Sequence, residues 1–447
     1  MRVFVKYFTL DKFCLKVYTI LVRGTHMEEK LYRKYLDALK SELLPAMGCT
    51  EPIAVAYCAA LAREALGKIP ERVEIRVSGN ILKNVKSVVV PNTGGMRGVK
   101  AAAAAGIVAG DADKKLQVLA GISDDKLLKI ADYLKATPFS LDRMNSVRIF
   151  DIGVSVFAGG DSAYARIEGH HTNVIRLEKN GQALISREEQ EEGAEETEPM
   201  SIREIVDFAN EVKIADVQEL VGRQIEYNLA ISQEGLINDY GARVGKVLMG
   251  AYGNDVHNRA RAAAAAGSDA RMNGCNLPVV IVSGSGNQGI TASVPVVTYA
   301  KELKVSCEKM LRAVVLSDLV TIHLKSRIGR LSAYCGAVSA GCGAGAGIRY
   351  LFGGGYDEIS ETVVNALAID SGIVCDGAKS SCAAKIASAV EAGLIGMEMQ
   401  MRGSRFFGGD GIVEASVEST IRNVGDLARI GMRSTDEEII RLMIKAE

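Results

Sequence analysis

Arg72-Val73-Glu74-Ile75-Arg76-Val77-Ser78-Gly79-Asn80 is the stretch whose reading decides the fold. Val73, Ile75 and Val77 alternate with charged residues, the period of a strand with one buried face. Ser78-Gly79-Asn80 then supplies the stop. Upstream the period is helical. Residues 28–44 mix apolar and charged residues at helix spacing, and Thr50-Glu51-Pro52 opens a second helix to about Leu66. Thr50 reads as its N-cap, and Pro52 fits the first turn. Downstream, a short strand Val88-Val89-Val90 stops at Pro91-Asn92, and an alanine-rich helix (Ala101–Ala105) and a helix around Lys126–Leu134 follow. Strand-like runs near Val147–Phe157, Ala163–Glu168 and Asn173–Leu177 lead to an Asn180-Gly181 turn. Residues 71–186 therefore read as an α+β unit built on an antiparallel sheet.

Residues 187–199, rich in glutamate and ending in Pro199, have no apolar face and read as an acidic linker. Beyond Ser201 helical periodicity runs to the end, with small-residue helices at Arg259–Gly267, Ser339–Tyr350 and Ala383–Ile395, and another at Lys301–Leu311. The expected class is α+β: a mainly helical domain formed by residues 28–70 and 200–447, with the 71–186 unit inserted. Residues 1–26 are apolar but broken by Lys6, Asp11, Lys12 and Lys16, too interrupted for a membrane span or an export signal. They read as a leader outside the fold, with Met27 closer to the true start.

The chain has 447 residues, 48% apolar and 24% charged, and a net charge of −1. That length allows two sizeable cores. Neither composition nor charge draws the chain to nucleic acid or to an anionic membrane. With 46 glycines and no tryptophan, helices packed through small residues are expected.

Nine cysteines, an odd number in a chain that reads as cytoplasmic, point to metal or catalytic use rather than disulfides. Cys14, Cys58 and Cys307 read as small buried hydrophobes. Cys335, Cys375 and Cys382 form a C-x39-C-x6-C arrangement with glycine or serine beside each. Three thiolates would leave one coordination position of a metal centre open to substrate. The spacing is standard for neither zinc nor ferredoxin-type clusters, so both metals remain open. Cys342, seven residues after Cys335, competes for a ligand position. Cys49 precedes a helix N-terminus, whose dipole favours thiolate, and reads as a nucleophile, a base or a further ligand. Ser283-Gly284-Ser285-Gly286-Asn287-Gln288-Gly289 follows the strand-like Val279–Val282 and reads as an anion-holding loop, for a carboxylate rather than a nucleotide. Asn80, Lys83 and Asn84 form a second polar cluster. Of the adjacent His170 and His171, one is expected to orient substrate.

Six segments, taken in order, resemble the L-cysteine desulfidase family: Gly48-Cys49-Thr50-Glu51-Pro52, Ser232-Gln233-Glu234-Gly235-Leu236, Ser268-Asp269-Ala270-Arg271-Met272, Ser285-Gly286-Asn287-Gln288-Gly289-Ile290, Arg330-Leu331-Ser332-Ala333 and Ile373-Val374-Cys375-Asp376-Gly377-Ala378. That family is distantly similar to the α-part of the iron–sulfur L-serine dehydratases, and the resemblance runs over residues 28–445. It implies a cytoplasmic enzyme with an oxygen-sensitive [4Fe–4S] cluster and no pyridoxal phosphate, converting L-cysteine to pyruvate, ammonia and sulfide. The helical domain would hold the cluster. The resemblance implies Cys335, Cys375 and Cys382 as ligands, with Cys342 the first ligand under the serine dehydratase pattern. Cys49 is the expected catalytic base. The expected substrate-binding set is Ser283, Ser285, Gly286, Asn287, Gln288, Asn80 and His171. The partner implied is small-molecule L-cysteine, with no nucleic acid and no membrane, and a homo-oligomer is left open. Two rivals stand beside this reading: an L-serine dehydratase with the same centre, and a non-enzymatic iron–sulfur or zinc protein.

Overall fold

The computed structural model describes residues 27–144, 148–187, 200–329 and 332–445. The leader 1–26 and linker residues 188–199 lie outside the described residues. In chain order the elements begin with α1 (Glu29–Glu42), β1 (Pro45–Met47), α2 (Thr50–Leu66), β2 (Arg72–Val77), α3 (Gly79–Val85), α4 (Val99–Ala109) and α5 (Asp124–Ala136). Five strands follow: β3 (Phe139–Arg143), β4 (Asp151–Ala158), β5 (Asp161–Glu168), β6 (Val174–Lys179) and β7 (Gln182–Ser186). Next come α6 (Ile202–Glu211), α7 (Ile214–Ile237), α8 (Val244–Tyr252), α9 (Val256–Met272), β8 (Pro278–Val280) and α10 (Gly286–Glu302). The chain closes with α11 (Cys307–Ile328), α12 (Gly336–Leu351), α13 (Tyr356–Asp370), α14 (Cys382–Met401), α15 (Val417–Asp426) and α16 (Arg433–Lys445). The α+β class is the one the sequence reading expects.

The 72–77 alternation does make a strand. β2 lies second in a six-stranded sheet of order β3-β2-β4-β5-β6-β7, with Val73, Ile75 and Val77 fully buried. It runs antiparallel to β4, Ile75 facing Val154, and parallel to β3, Ile75 facing Leu141. The sheet expected as antiparallel is thus mixed. Tight turns return a chain antiparallel, whereas the long helical connection α3–α5 brings β3 back in the direction of β2. β6 and β7 are joined by Asn180 and Gly181, both with positive φ (49° and 78°), the hairpin turn those residue types favour.

Three local expectations are corrected. Val88–Val90 is not a strand: Val89 makes one bridge to Arg97, and Asn92 turns the chain back with φ 58°. Thr50 is not the N-cap. Cys49 holds that position with extended backbone, and the Thr50 hydroxyl instead donates to Gly284 O at 3.1 Å. Lys301–Leu311 is not one helix either. Lys304 adopts φ 52°, and Ser306 caps a new helix by accepting from the Lys309 N–H at 3.2 Å.

The apolar side chains of α2 pack under the sheet with α4, although the sequence reading grouped α2 with the helical part. A second core joins α1, α6, α7 and α9 to α15. Glycine sets the spacing there. A Cβ on Gly393 of α14 would lie 2.2 Å from the Gly341 carbonyl oxygen of α12, so these backbones touch. Among the described residues no helix is long and apolar enough to cross a membrane.

Candidate active site

Four helices begin at one cavity. α2 starts after Cys49, α10 after Ser285, α12 after Cys335, and α14 at Cys382, and all four named residues line the cavity. Each helix start presents N–H groups without intrahelical partners and a partial positive charge. Arg271, at the end of α9, and Lys325, in the last turn of α11, add full charges to the wall. These groups make their side of the cavity electropositive.

Cys335 and Cys375 are brought side by side by a short backbone ladder. Tyr334 and Val374 form an antiparallel bridge, the Cys335 N–H donates to Ile373 O at 3.0 Å, and the Cys375 N–H donates to Ala333 O at 2.5 Å. The two thiols are electrostatically coupled: the neighbouring Cys335 thiol draws Cys375 well below the usual thiol range, against the effect of burial, with Lys83 and Lys325 acting in the same direction. Cys375 in turn, together with burial, pushes Cys335 up. Cys382 opens α14, its thiol 3.7 Å from Gly377 O, and burial raises it as well.

The loop between these cysteines is clamped from the sheet unit. Gly377 adopts φ 93°, and a Cβ there would meet Lys83 O at 2.3 Å. The Lys83 ammonium, with its side chain fully buried, donates to Cys375 O at 3.3 Å and pairs with Asp436 of α16. Among the described residues no three cysteine, histidine or acidic side chains are grouped to hold one metal ion. Cys335, Cys375 and Cys382, each on its own backbone anchor, all line the cavity and are free thiols available there to a metal centre. Cys342, the rival ligand, is buried in the helical core and does not line the cavity.

Cys49 sits at a helix start as expected, and its thiol is buried. It is 1% exposed, with its sulfur 3.8 Å from Met272 Sδ. Burial pushes it up to about 12, and the opposing pull of nearby Arg271 is weaker. The helix start favours a thiolate, and burial acts on Cys49 in the opposite direction.

The glycine-rich loop turns sharply, Ser283 at φ 47° and Gly284 at φ 79°, before entering α10. Asn287 Oδ1 accepts from Arg271 Nη1 at 3.2 Å, and Asn287 Nδ2 lies 3.6 Å from Met272 Sδ. Gly286 makes room for the guanidinium, since a Cβ there would stand 2.4 Å from Arg271 Nε. Gln288 is buried and packs on Gly336, next to Cys335.

Ser283, Ser285, Asn287, Gln288 and His171 all line the cavity, His171 with its ring 4.7 Å from that of Phe150. Gly286 acts from behind the wall. Asn80 does not line it; Asn84, one turn along α3, does. Sequence reasoning passed over Glu51, Arg271 and Lys325 as site residues. Glu51 and Arg271 stand inside the segments 48–52 and 268–272 that carry the resemblance, which was the available signal; Lys325 had none.

A family model described as the serine dehydratase alpha chain matches residues 113–441, which sets the site in the dehydratase-like class of enzymes. The chain is also similar over most of its length to curated proteins named UPF0597 protein. One from Desulfitobacterium hafniense is 54% identical over 93% of this chain and 98% of its own. Others from Lachnoclostridium phytofermentans (49% identical, over 93% of this chain and 100% of the relative) and Treponema denticola (44%, over 94% and 99%) extend the series. The chain belongs to the serine dehydratase alpha chain family.

Proposed function

We propose that this chain is a β-elimination lyase that converts L-cysteine to pyruvate, ammonia and hydrogen sulfide at an iron–sulfur centre. The observation that carries the reading is the convergence of Cys335, Cys375 and Cys382 on a cavity whose other wall is the Ser283–Gly289 loop at the start of α10. Those three cysteines would hold a [4Fe–4S] cluster, and the cationic surround of helix starts, Lys83 and Lys325 suits their thiolates. When bound, the cluster supplies a Lewis acid for the β-leaving group, and a soft one that favours sulfur over hydroxyl.

The chain's own residues do the rest. Backbone N–H groups at the start of α10, with the Asn287 amide, take the substrate carboxylate. Cys49 is the group proposed to accept the α-proton, as the thiolate formed when its own proton passes to solvent water. Arg271 beside it favours the thiolate. Loss of the α-proton and the β-thiol leaves aminoacrylate, which tautomerises and hydrolyses to pyruvate and ammonia. Tyr334 and Phe150, both buried on the wall, limit water at the reacting atoms. Free thiol ligands need a reducing compartment, so the proposed location is the cytoplasm.

The description of the matching family favours a second reading, L-serine dehydration in the same cavity. Anaerobic turnover of L-cysteine and L-serine, followed as pyruvate with sulfide measured in parallel, separates the two. A higher kcat/KM for L-cysteine supports the desulfidase reading. Pyruvate from L-serine alone replaces it with the dehydratase.

A further inference from the structure

Arg271 is a buried guanidinium whose charge no carboxylate neutralises at salt-bridge distance among the described residues. It is 4% exposed, its Nη1 donates to the neutral Asn287 amide oxygen, and its Nε has no partner among the described residues. A buried charge left like this is costly, and the cost falls when an anion enters beside it. Glycine at 286 is what admits the guanidinium, so the position is built rather than incidental. Glu51 supplies an acidic side chain on the same cavity, pushed up by burial with Arg271 acting against that rise. It lies half-buried in the first turn of α2, lines the same cavity and accepts from the Thr50 hydroxyl at 3.0 Å. That same hydroxyl reaches Gly284 O at 3.1 Å, which ties the start of α2 to the glycine-rich loop.

We propose that the cavity recognises its substrate as a zwitterion, with Arg271 and Asn287 holding the α-carboxylate and Glu51 the α-ammonium. The substrate class is then the free α-amino acid; amides and simple carboxylic acids fall outside it. This deepens the lyase reading of the same cavity and rests on it for the identity of the pocket. It assigns to Arg271 and Glu51 a binding role separate from the metal ligands.

The test uses L-alanine, which carries both charged groups and no β-leaving group, so it binds without reacting. Calorimetry on the anaerobically purified full chain, with iron content recorded, compares L-alanine with L-alaninamide and with propionate. The expected result is that L-alanine binds and each analogue binds at least about tenfold more weakly. Arg271→Gln should cost L-alanine at least about tenfold in affinity. Glu51→Gln should erase the preference for L-alanine over propionate, with iron content unchanged in both variants. Equal binding of L-alanine and L-alaninamide overturns the proposal, as does an absence of L-alanine binding. The analogue series on the unsubstituted protein decides the matter even where Arg271→Gln folds poorly. A protein that releases pyruvate from neither L-cysteine nor L-serine, yet binds L-alanine with this selectivity, would end the lyase reading and leave the zwitterion site standing.

Discussion

Replacing Asp436 by Asn should destabilise the chain more than replacing its partner Lys83 by Met. The Lys83 side chain is fully buried, while that of Asp436 retains 14% exposure. Asp436→Asn leaves a buried ammonium with the Cys375 carbonyl, 3.3 Å away, as its remaining acceptor among the described residues. Leaving such a charge uncompensated costs about 3–5 kcal/mol. Lys83→Met instead leaves a carboxylate on α16 that water can reach, and the methionine fills the vacated stem volume. That loss should be about 1–3 kcal/mol, the range for a lost charge-assisted hydrogen bond. Urea unfolding of both single variants and of the double variant, under anaerobic conditions, gives the two costs and their coupling. The double variant should be nearer to Lys83→Met than to Asp436→Asn, since it buries no orphan charge. Because Lys83 also holds the Cys375 loop, its loss should lower iron retention as well. Equal costs, or a larger cost for Lys83→Met, would refute the reasoning.

Gly393→Ala drives a methyl group to 2.2 Å from the Gly341 backbone oxygen and should force α12 and α14 apart. The cost is about 1–3 kcal/mol as a lowered melting temperature, and an unchanged melt contradicts the close approach. Burial holds the Asp318 carboxyl up at about 8, with its Oδ2 unpartnered. The folded value lies above the unfolded one of about 3.9, so this group's stabilising effect is full below about pH 4 and is lost as pH rises toward 8. Asp318→Asn should flatten that decline between pH 5 and pH 8 in urea unfolding; an unaltered slope contradicts the assignment. Cys375→Ala should lose iron, while Cys342→Ala, whose sulfur lies in the helical core, should keep it. Iron lost from the second variant and kept in the first would reverse the ligand choice.

How far these features could be read from the sequence depends on how local their causes are. The alternation at Val73, Ile75 and Val77 reveals a strand because one buried face imposes a period of two. The Asn180-Gly181 turn is legible because its backbone needs positive φ. The parallel pairing of β3 is not, because Phe139-Ser140-Leu141-Asp142-Arg143 says nothing about its neighbour; the crossover connection decides it. At the site, the C-x39-C-x6-C spacing marked the three thiols that the structure gathers. Cys49 shows the limit most plainly. A helix start can be seen in the sequence, but the burial that pushes its thiol up to about 12 is a tertiary property. Arg271 was hidden for a related reason. Its role comes from being buried without a carboxylate partner beside Gly286, and neither condition shows in the order of residues.

The central claim, that these three cysteines make a catalytic iron–sulfur centre, is tested most directly by one paired measurement. Iron and acid-labile sulfide are determined on anaerobically purified protein, and pyruvate release from L-cysteine is assayed on the same sample. The account predicts about four irons per chain together with turnover, both lost in Cys375→Ala. A protein that takes up no iron after cluster reconstitution, or a Cys375→Ala variant that keeps both iron and activity, would contradict it.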